Sequence, residues 1–395
     1  MFSWNRLHTG VKALFFVQIV NRMGDFVVPF LTLIMTQVQG FSPAAAGLVV
    51  TLTTALESLG GLVAGRLSDR HSRRDVLIVF LAMSGILLAG AGLAPASLGA
   101  AMAMVASGFF IGAMRPVLGA LVADLTDEGT RRAAYSLSYL GINLGVSIGP
   151  LLACWLFQNA LSWMFWLDAL STAAALAILA LFVPRTTQSF AAAPLPRDGS
   201  ALTAFFHHPL LLPFSLLLMV YNFVYSQMVF TQALQLVSLF GDQGPQVFGL
   251  VWAINAVTVL VLTPMALRMT KNWTNLASMA VGMEFFALGT SVFLLHPGLA
   301  LVVVSTILWT TGEVLFSIHM GDLVSAQSPP DRRGRFQAYV GFLGSLGFVV
   351  SPLASGLVAQ LLGLTGIWWL STFLAAAVGA GFAGLTRRTT APLSS

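Results

Sequence analysis

Charged residues are scarce in this sequence: Asp, Glu, Lys and Arg together make up 8% of its 395 residues, against about 25% in a typical soluble domain. Hydrophobic residues make up 57%. These proportions exclude a disordered chain, a collagen and an ordinary soluble enzyme, and they favour a polytopic membrane protein. The single cysteine, Cys154, excludes a disulfide framework within the chain and argues against a thiolate metal cluster.

Lysine is nearly absent as well, since it occurs only at Lys12 and Lys271. Neither lysine follows a glycine, so the phosphate-binding loop of nucleotide hydrolases, which needs a Gly-Lys pair, is missing. No residue pattern supports hydrolysis or group transfer, and we expect no enzyme activity, no cofactor and no metal. An ion gradient or the gradient of a solute is therefore the expected source of energy.

Long apolar runs make up most of the sequence. A helix needs about 20 apolar residues to cross the hydrocarbon core of a bilayer, and twelve runs meet that length. We predict an all-α membrane protein with transmembrane spans at 11–37, 43–66, 75–96, 100–124, 133–157, 161–184, 210–238, 245–268, 275–295, 298–323, 334–362 and 366–386.

Basic residues test this count, because loops on the cytoplasmic side of a membrane are enriched in Lys and Arg. If the loops alternate between the two sides, the side that holds the N-terminus receives 17 of the 19 basic residues. The other two, Arg22 and Arg115, lie inside predicted spans. We therefore place both termini in the cytoplasm. The net charge of +5 belongs to these scattered loops, so nucleic-acid binding is not expected.

An internal repeat divides the chain in two. Residues 122–152 align with residues 324–354 at an offset of 202 positions. The identical pairs are Val122/Val324, Arg131/Arg333, Leu144/Leu346, Gly145/Gly347, Pro150/Pro352 and Leu151/Leu353. Both segments run from a cytoplasmic loop into a span, so the two halves have the same orientation, as in one known plan of transporters. We predict an N-terminal six-helix half at 1–184, a cytoplasmic linker at 185–209 and a C-terminal six-helix half at 210–395.

The loop after the second span, residues 65–74, has the sequence Gly-Arg-Leu-Ser-Asp-Arg-His-Ser-Arg-Arg. It resembles motif A of the major facilitator superfamily, with Ser72 in place of the usual second glycine. The resemblance extends over the whole chain, through the twelve spans, the two halves and the middle linker. It implies the major facilitator fold and a transporter whose halves alternate access to a site at the bilayer midplane.

In this family motif A latches the two halves together on one face. By that resemblance, Gly65 lets two helices approach closely, Asp69 faces the positive N-terminus of span 11, and Arg73 pairs with an acid at the end of span 4. The full set of matching residues is Gly65, Asp69, Arg70, Arg73 and Asp124. The alternative is a solvated loop whose basic residues only set the topology.

Span 5 carries glycine at every fourth position, followed by proline: Gly141, Gly145, Gly149 and Pro150. Small residues at this spacing form a ridge on which a second helix packs closely. The pattern resembles motif C, which is common in the drug/proton antiporter branch of the superfamily. Similar ridges also occur in uptake systems, so the direction of transport does not follow from it.

A second resemblance is to the proton-dependent oligopeptide transporters. It rests on Gln18, Asn21 and Arg22 in span 1 and on Arg115-Pro116 in span 4. Amides replace the two glutamates of that family's pattern, and arginine replaces its lysine. The proton-handling part of the pattern is therefore missing, whereas two cations that suit a carboxylate remain.

Ionisable residues inside spans are costly, and they mark functional sites or buried pairs. Asp25 and Glu313 are the strongest candidates, and we interpret them as proton-responsive groups. No Lys or Arg in the span of Glu313 can pair with it, and removal from water favours the neutral form of a carboxyl group. The alternatives are a hydrogen bond between helices at Glu313 and a purely structural ion pair between Arg22 and Asp25, at i,i+3.

Three spans place polar or small residues at helical spacing, which predicts one face on each. These residues are Gln18, Arg22, Asp25 and Pro29 on span 1, Gly108, Gly112, Arg115 and Gly119 on span 4, and Tyr221, Tyr225, Met228 and Gln232 on span 7. The family resemblance implies that spans 1, 4, 7 and 10 line the central cavity. Aromatic and methionine surfaces suit varied apolar ligands, although ordinary core packing is the alternative. The predicted substrate-binding residues are Gln18, Arg22, Arg115, Tyr221, Asn222, Tyr225, Met228 and Gln232.

We favour proton-coupled efflux of amphipathic or cationic small molecules across the inner (plasma) membrane of a bacterial-type cell. The alternative is proton-coupled transport of a carboxylate-bearing metabolite, such as a peptide, an amino acid or a metallophore. A third hypothesis, a scaffold or lipid-handling protein that moves no solute, leaves motif A and the central charges without a purpose. The expected partners are protons, a small-molecule substrate and the lipid bilayer, and the expected state is a monomer.

Overall fold

The computed structural model describes residues 7–185, 199–328 and 333–390. Every regular element within these ranges is a helix, which confirms the predicted all-α class. The helices are α1 (Thr9–Met23), α2 (Val27–Leu33), α3 (Pro43–Ser68), α4 (Arg73–Ala91), α5 (Leu98–Ile111), α6 (Met114–Asp124), α7 (Glu128–Asn159), α8 (Leu161–Phe182), α9 (Gly199–Phe206), α10 (Leu211–Ser226), α11 (Thr231–Phe240), α12 (Gly244–Met269), α13 (Asn275–Ser291), α14 (Leu299–Gln327) and α15 (Arg333–Thr390).

Ten helical stretches of the described chain are long and apolar enough to cross a membrane. Two of them, Leu211–Met269 and Arg335–Arg387, contain 59 and 53 residues, more than twice the ~20 residues of one crossing. Each of these two has room for two crossings, so the twelve predicted spans are consistent with the structure. Gly363, whose φ of 75° interrupts α15, lies between the last two predicted spans.

The helices fall into two compact units. Unit 1 comprises Met1–Phe41, Leu48–Pro196 and Phe248–Ala253, and unit 2 comprises Ser42–Gly47, Arg197–Val247 and Ile254–Ser395. In unit 1, α1 packs on α7 and α8, and α4 packs on α5 and α8. In unit 2, α10 packs on α15, and α13 packs on both α14 and α15. The linker predicted at 185–209 lies partly outside the described residues.

Glycines that the internal repeat aligns hold two of these helix pairs close together. A Cβ atom built on Gly145 of α7 would lie 2.5 Å from Cβ of Arg22 on α1. A Cβ atom on the repeat-matched Gly347 of α15 would lie 2.0 Å from the carbonyl oxygen of Met219 on α10. Because neither position leaves room for a methyl group, each half depends on a glycine where its fifth span crosses its first.

Spans 1, 4 and 7 are each interrupted. The first break, Gly24–Phe26, separates α1 from α2, and the second, Gly112–Ala113, separates α5 from α6. The third, Gln227–Phe230, separates α10 from α11. All three breaks fall within the stripes of residues that the helical spacing predicts.

Local chemistry accounts for these breaks. The ring of Pro116 cannot sit against the carbonyl group four residues earlier, at Gly112, in a regular helix. At the third break the Gln227 side chain hydrogen-bonds to residues on both sides. It donates to the carbonyl oxygen of Phe223 at 3.0 Å and accepts from the Thr231 hydroxyl at 2.5 Å. The contacts of Gly145 with Ile19 and Met23 and of Gly347 with Met219 and Phe223 match spans 1 and 7 at an offset of 200. Gly24–Phe26 therefore corresponds to residues 224–226, directly before the third break.

Two substitutions in the same helix test the close packing of α15 on α10. We expect Gly347→Ala to destabilise the protein by about 1–3 kcal/mol, because its methyl group would overlap the backbone of α10. Gly341→Ala should be neutral or stabilising by up to about 1 kcal/mol, since a Cβ there meets no described atom within 4 Å. Thermal unfolding of the purified variants measures both effects, and equal melting temperatures would contradict the packing.

Candidate functional site

The predicted ion pair of span 1 is present in unit 1 and bridges the first break. Nη1 of Arg22 donates to Oδ2 of Asp25 at 3.1 Å. The two side chains are 22% and 24% exposed, so neither is sealed from solvent. Arg22 stands in the last turn of α1 and Asp25 lies between the two helices. The pair therefore depends on the geometry of the break and not on a shared helical face.

A further acid, Asp168 of α8, is bound to the same break. Its Oδ2 accepts hydrogen bonds from the backbone N–H groups of Phe26 and Val27, both at 3.1 Å. These amides open α2, where N–H groups have no partner within the helix, and a carboxylate favours that positive end. Sequence reasoning misses this role, because the position of Asp168 predicts only a residue near the end of span 6. The one available signal is an acid within an apolar run.

Beside the ion pair, unit 1 contains a pocket of about 240 Å³ whose lining includes Gln18, Arg22, Arg115 and Tyr135. Gln18 is 4% exposed, and its Nε2 has no hydrogen-bond partner among the described residues. Arg115 is exposed and lies within electrostatic range of the partly buried Glu57 on α3. The rest of the lining is mostly apolar, with Met114, Leu118, Val122 and Ile142 among its residues. We call this the donor-rich pocket, because two guanidinium groups and a free amide N–H₂ stand in it, and these donors suit an oxygen-rich or anionic group.

In unit 2 the carboxylate of Glu313 on α14 is held by neutral donors. The hydroxyl of Tyr225 donates to its Oε1 at 3.0 Å, and Nδ2 of Asn255 donates to its Oε2 at 2.9 Å. The same Asn255 amide lies 3.0 Å from the hydroxyl of Thr310. No Lys, Arg or His nitrogen of the described chain lies within 4.0 Å of this carboxylate. Glu313 is therefore hydrogen-bonded without a counter-charge in contact.

Aromatic rings pack around the tyrosines next to Glu313. Tyr221 stacks on Phe316, with ring centroids 3.9 Å apart and planes inclined by 14°. Tyr225 meets Phe348 edge to face at 6.0 Å. Phe286 lies 6.1 Å from Tyr221 and 6.2 Å from Tyr225. We call Tyr221, Tyr225, Phe286, Phe316 and Phe348 the aromatic wall.

The other predicted residues of span 7 have mixed surroundings. Nδ2 of Asn222 donates to the carbonyl oxygen of Gly344 at 2.9 Å, which ties α10 to α15. Met228 and Gln232 are fully buried. Neither amide atom of Gln232 has a hydrogen-bond partner within the described ranges, which is rare for a buried polar group. The third break separates Tyr221 and Tyr225 from Gln232.

The structure brings together part of the predicted latch. Arg73 donates to the carboxylate of Asp124 and, at 3.3 Å, to the carbonyl oxygen of Ala120. Ser72 caps α4 by accepting from the N–H of Asp75 at 3.4 Å, which shows how the turn forms without the usual glycine.

Within the described residues, the remaining latch residues make no such contacts. The expected close approach at Gly65 is not found, because a Cβ there would meet no described atom within 4 Å. Asp69 and Arg70 are exposed. The loop before span 11 includes residues 329–332, which lie outside the described residues.

The glycine ridge of span 5 faces α1 along its length. Gly141 packs on Phe15, Gly145 on Ile19 and Arg22, and Gly149 on the carbonyl groups of Arg22 and Met23, with Pro150 following inside α7. The ridge therefore allows the backbone of α1 at Arg22 to lie close against α7. Metal binding has no support in the described residues, which contain no cluster of three or more His, Cys, Asp or Glu side chains that could hold an ion.

Comparison with known proteins agrees with this architecture. The sequence profile of the Major Facilitator Superfamily matches residues 14–271. The uncharacterized MFS-type transporter YqjV of Bacillus subtilis (strain 168) is 28% identical over 371 residues, which cover 92% of this chain and 89% of YqjV. The uncharacterized MFS-type transporter YhjO of the same organism is 25% identical over 360 residues, which cover 91% and 88%.

Solved structures show the same fold. The crystal structure of a POT family transporter in complex with 5-aminolevulinic acid superposes with a TM-score of 0.80 and covers 97% of each chain, at 15% identity. The profile match covers more than half of the chain, and the apolar helices are those of a multi-pass membrane protein. The chain belongs to the major facilitator superfamily of membrane transporters.

Proposed function

We propose that this chain is a proton-coupled secondary transporter that exports amphipathic or cationic small molecules. The observation that carries the proposal is Glu313, a carboxylate held by two neutral donors beside the aromatic wall. In this proposal the protein works as a monomer in the inner (plasma) membrane, with both termini in the cytoplasm. Glu313 and Asp25 are its proton-responsive groups.

The partners of Glu313 accommodate either protonation state. A tyrosine hydroxyl both donates and accepts hydrogen bonds, whereas an asparagine amide nitrogen only donates. When Glu313 is charged, Tyr225 and Asn255 each donate to one carboxylate oxygen, at 3.0 and 2.9 Å. When Glu313 is protonated, its hydroxyl can donate to the oxygen of Tyr225, and Asn255 still donates to the other oxygen. The network therefore survives the gain or loss of a proton, as a coupling site requires.

The aromatic wall gives this site a preference for amphipathic cations. Aromatic rings bury apolar surface, and their faces attract positive charge. Because Glu313 has no described cation in contact, a cationic substrate and a proton would compete for the same carboxylate. Such competition is the simplest physical basis for exchanging one for the other.

Asp25 supports the same mechanism from unit 1. Its charge is balanced by Arg22 across the first break, at 3.1 Å. Protonation of Asp25 would remove that attraction and release the guanidinium group of Arg22. A proton would thus change the charge available in the donor-rich pocket, which Arg22 also lines.

Replacing Glu313 by Gln tests proton coupling. We expect Glu313→Gln to abolish transport driven by a proton gradient, because Gln keeps the shape and hydrogen bonds but cannot bind and release a proton. Exchange of labelled for unlabelled substrate should continue at a rate within about threefold of the wild type, because exchange needs no net proton movement. Proteoliposomes with an imposed pH gradient, supplied with lipophilic cations, measure both activities.

The matched control is Glu284→Gln, which alters an exposed glutamate on α13 of the same unit. This variant should retain both activities. Full gradient-driven transport in Glu313→Gln, or equal loss in both variants, would contradict the role assigned to Glu313.

A second candidate, proton-coupled transport of a carboxylate-bearing metabolite, is favoured by the donor-rich pocket of unit 1. Gln18, Arg22 and Arg115 line it together, and these groups can all donate to a carboxylate. Glu57 near Arg115 and Asp25 on Arg22 reduce the net positive charge there. A zwitterion, such as a peptide or an amino acid, fits this mixture better than a simple anion.

Replacing Arg115 separates the two candidates. If the substrate is a carboxylate, Arg115→Ala should weaken its binding by about tenfold or more, because a charge-assisted hydrogen bond contributes about 1.5–3 kcal/mol. Arg268→Ala, which removes an exposed arginine at the end of α12, should leave binding unchanged. Binding assays with labelled dipeptides and amino acids make the comparison. Unimpaired cation export by Arg115→Ala, with no binding of carboxylates by the wild type, would exclude the second candidate.

A further inference from the structure

The first break in span 1 is held from outside by α8. Asp168 is 5% exposed, and one of its oxygens accepts from both Phe26 and Val27. One turn further along α8, Ser171 lies against Gly24, and its hydroxyl donates to the carbonyl oxygen of Asp168 at 2.8 Å. Two adjacent residues on one face of α8 therefore contact the segment Gly24–Phe26 that separates α1 from α2.

The contact at Gly24 leaves no space for a side chain. A Cβ atom built there would lie 1.8 Å from Oγ and 2.1 Å from Cβ of Ser171. Real Cβ atoms do not approach other atoms so closely, so any larger residue must push α1 and α8 apart. The glycine and the Asp168 cap thus act on the same few backbone atoms from the same neighbouring helix.

Asp25 lies between the two residues that α8 contacts. It is the residue immediately before Phe26, whose amide Asp168 binds, and immediately after Gly24, which Ser171 touches. Its own side chain reaches back to Arg22 at the end of α1. Because α8 holds the backbone on both sides of Asp25, it fixes the point from which the side chain of Asp25 reaches Arg22.

The corresponding break of span 7 is held differently. Gln227 donates to the hydroxyl of Ser351 on α15 at 2.6 Å. Within the described residues, no carboxylate takes part in the side-chain hydrogen bonds of Gln227. A buried acid is a costly way to cap a helix that a neutral side chain could cap. Asp168 caps the break that carries the Arg22–Asp25 pair, so the cap and the pair share the same few residues.

We propose that Asp168 is a positioning residue that holds the first break so that Asp25 faces Arg22, and that transport depends on Asp168 through this pair. The inference rests on the proposed function for its link to transport. The clamp itself, formed by Asp168 and Ser171 on residues 24–27, can be tested without any substrate.

The first experiment measures amide hydrogen exchange of residues 24–33 in the full-length chain in lipid nanodiscs. Asp168→Val removes the acceptor, and we expect exchange in this segment to rise at least about tenfold. Asp168→Asn keeps an acceptor oxygen and should stay within about threefold of the wild type. Thr172→Val, at the next buried position on α8, is the matched control and should resemble the wild type. An equal rise in Asp168→Val and Thr172→Val would overturn the clamp.

A second route leaves Asp168 intact, so the test does not depend on the folding of one variant. Gly24→Ala should raise exchange in the same segment, because its methyl group collides with Ser171. Adding Ser171→Gly removes the colliding atoms and should restore slow exchange, whereas Ser171→Ala keeps the Cβ atom and should not. Failure of Ser171→Gly to rescue Gly24→Ala would also overturn the clamp.

The link to the ion pair is tested by a double-mutant cycle in the exchange of labelled for unlabelled substrate, which needs no net proton movement and can therefore still be measured in Asp25→Asn. If Asp168 acts through Asp25, Asp168→Val should reduce transport at least about tenfold in the wild type but less than about twofold in Asp25→Asn, because the pair is already lost. Multiplicative losses in the double variant would refute positioning through Asp25. If no substrate is transported by the wild type, the proposed function fails, while the exchange measurements still decide the clamp.

Discussion

Hydrocarbon offers no hydrogen bonds to a peptide group, so a helix that is interrupted inside a bilayer must have its freed N–H and C=O groups bound by the protein itself. This constraint governs the parts of the structure in which the polar chemistry is found. Asp168 accepts hydrogen bonds from the amides of Phe26 and Val27 at the first break, and the side chain of Gln227 donates to the carbonyl oxygen of Phe223 at the third. The polar residues at the breaks of spans 1 and 7 therefore have two roles. They bind backbone groups that the breaks leave without a partner in the helix, and they lie next to the residues of the candidate sites.

The sequence predicts the all-α class and the long apolar helices well, because each span follows from a simple composition rule, and its count of twelve spans is consistent with the structure. It also predicts the Arg22–Asp25 and Arg73–Asp124 pairs, the first from helical spacing and the second from the resemblance to motif A. It does not predict the breaks, since only Pro116 breaks a helix by itself. Gly24 and Gln227 do so through contacts with α8 and α15, which lie far away in the chain. The role of Asp168 is missed for the same reason, because its partners are backbone amides more than a hundred residues away. Every residue except proline has such an amide, so the sequence does not indicate which of them the carboxylate binds.

The two units contain different kinds of polar groups. Unit 1 collects donors and balanced charge, with two arginines, a free amide and carboxylates nearby. Unit 2 collects rings around one carboxylate that only neutral groups touch.

Gly145 and Gly347 occupy matched places in the repeat, and both pack on the first span of their own half. Their contacts have the same register: Gly145 meets the carbonyl oxygen of Ile19 and the amide nitrogen of Met23, and Gly347 meets the carbonyl oxygen of Met219 and the amide nitrogen of Phe223. The glycines are 202 positions apart and their partners 200, so two more residues lie between the two crossing points in the second half. A glycine at a helix crossing meets mainly backbone atoms, which are alike at every position. The surrounding side chains can therefore differ between the halves while the crossing stays the same.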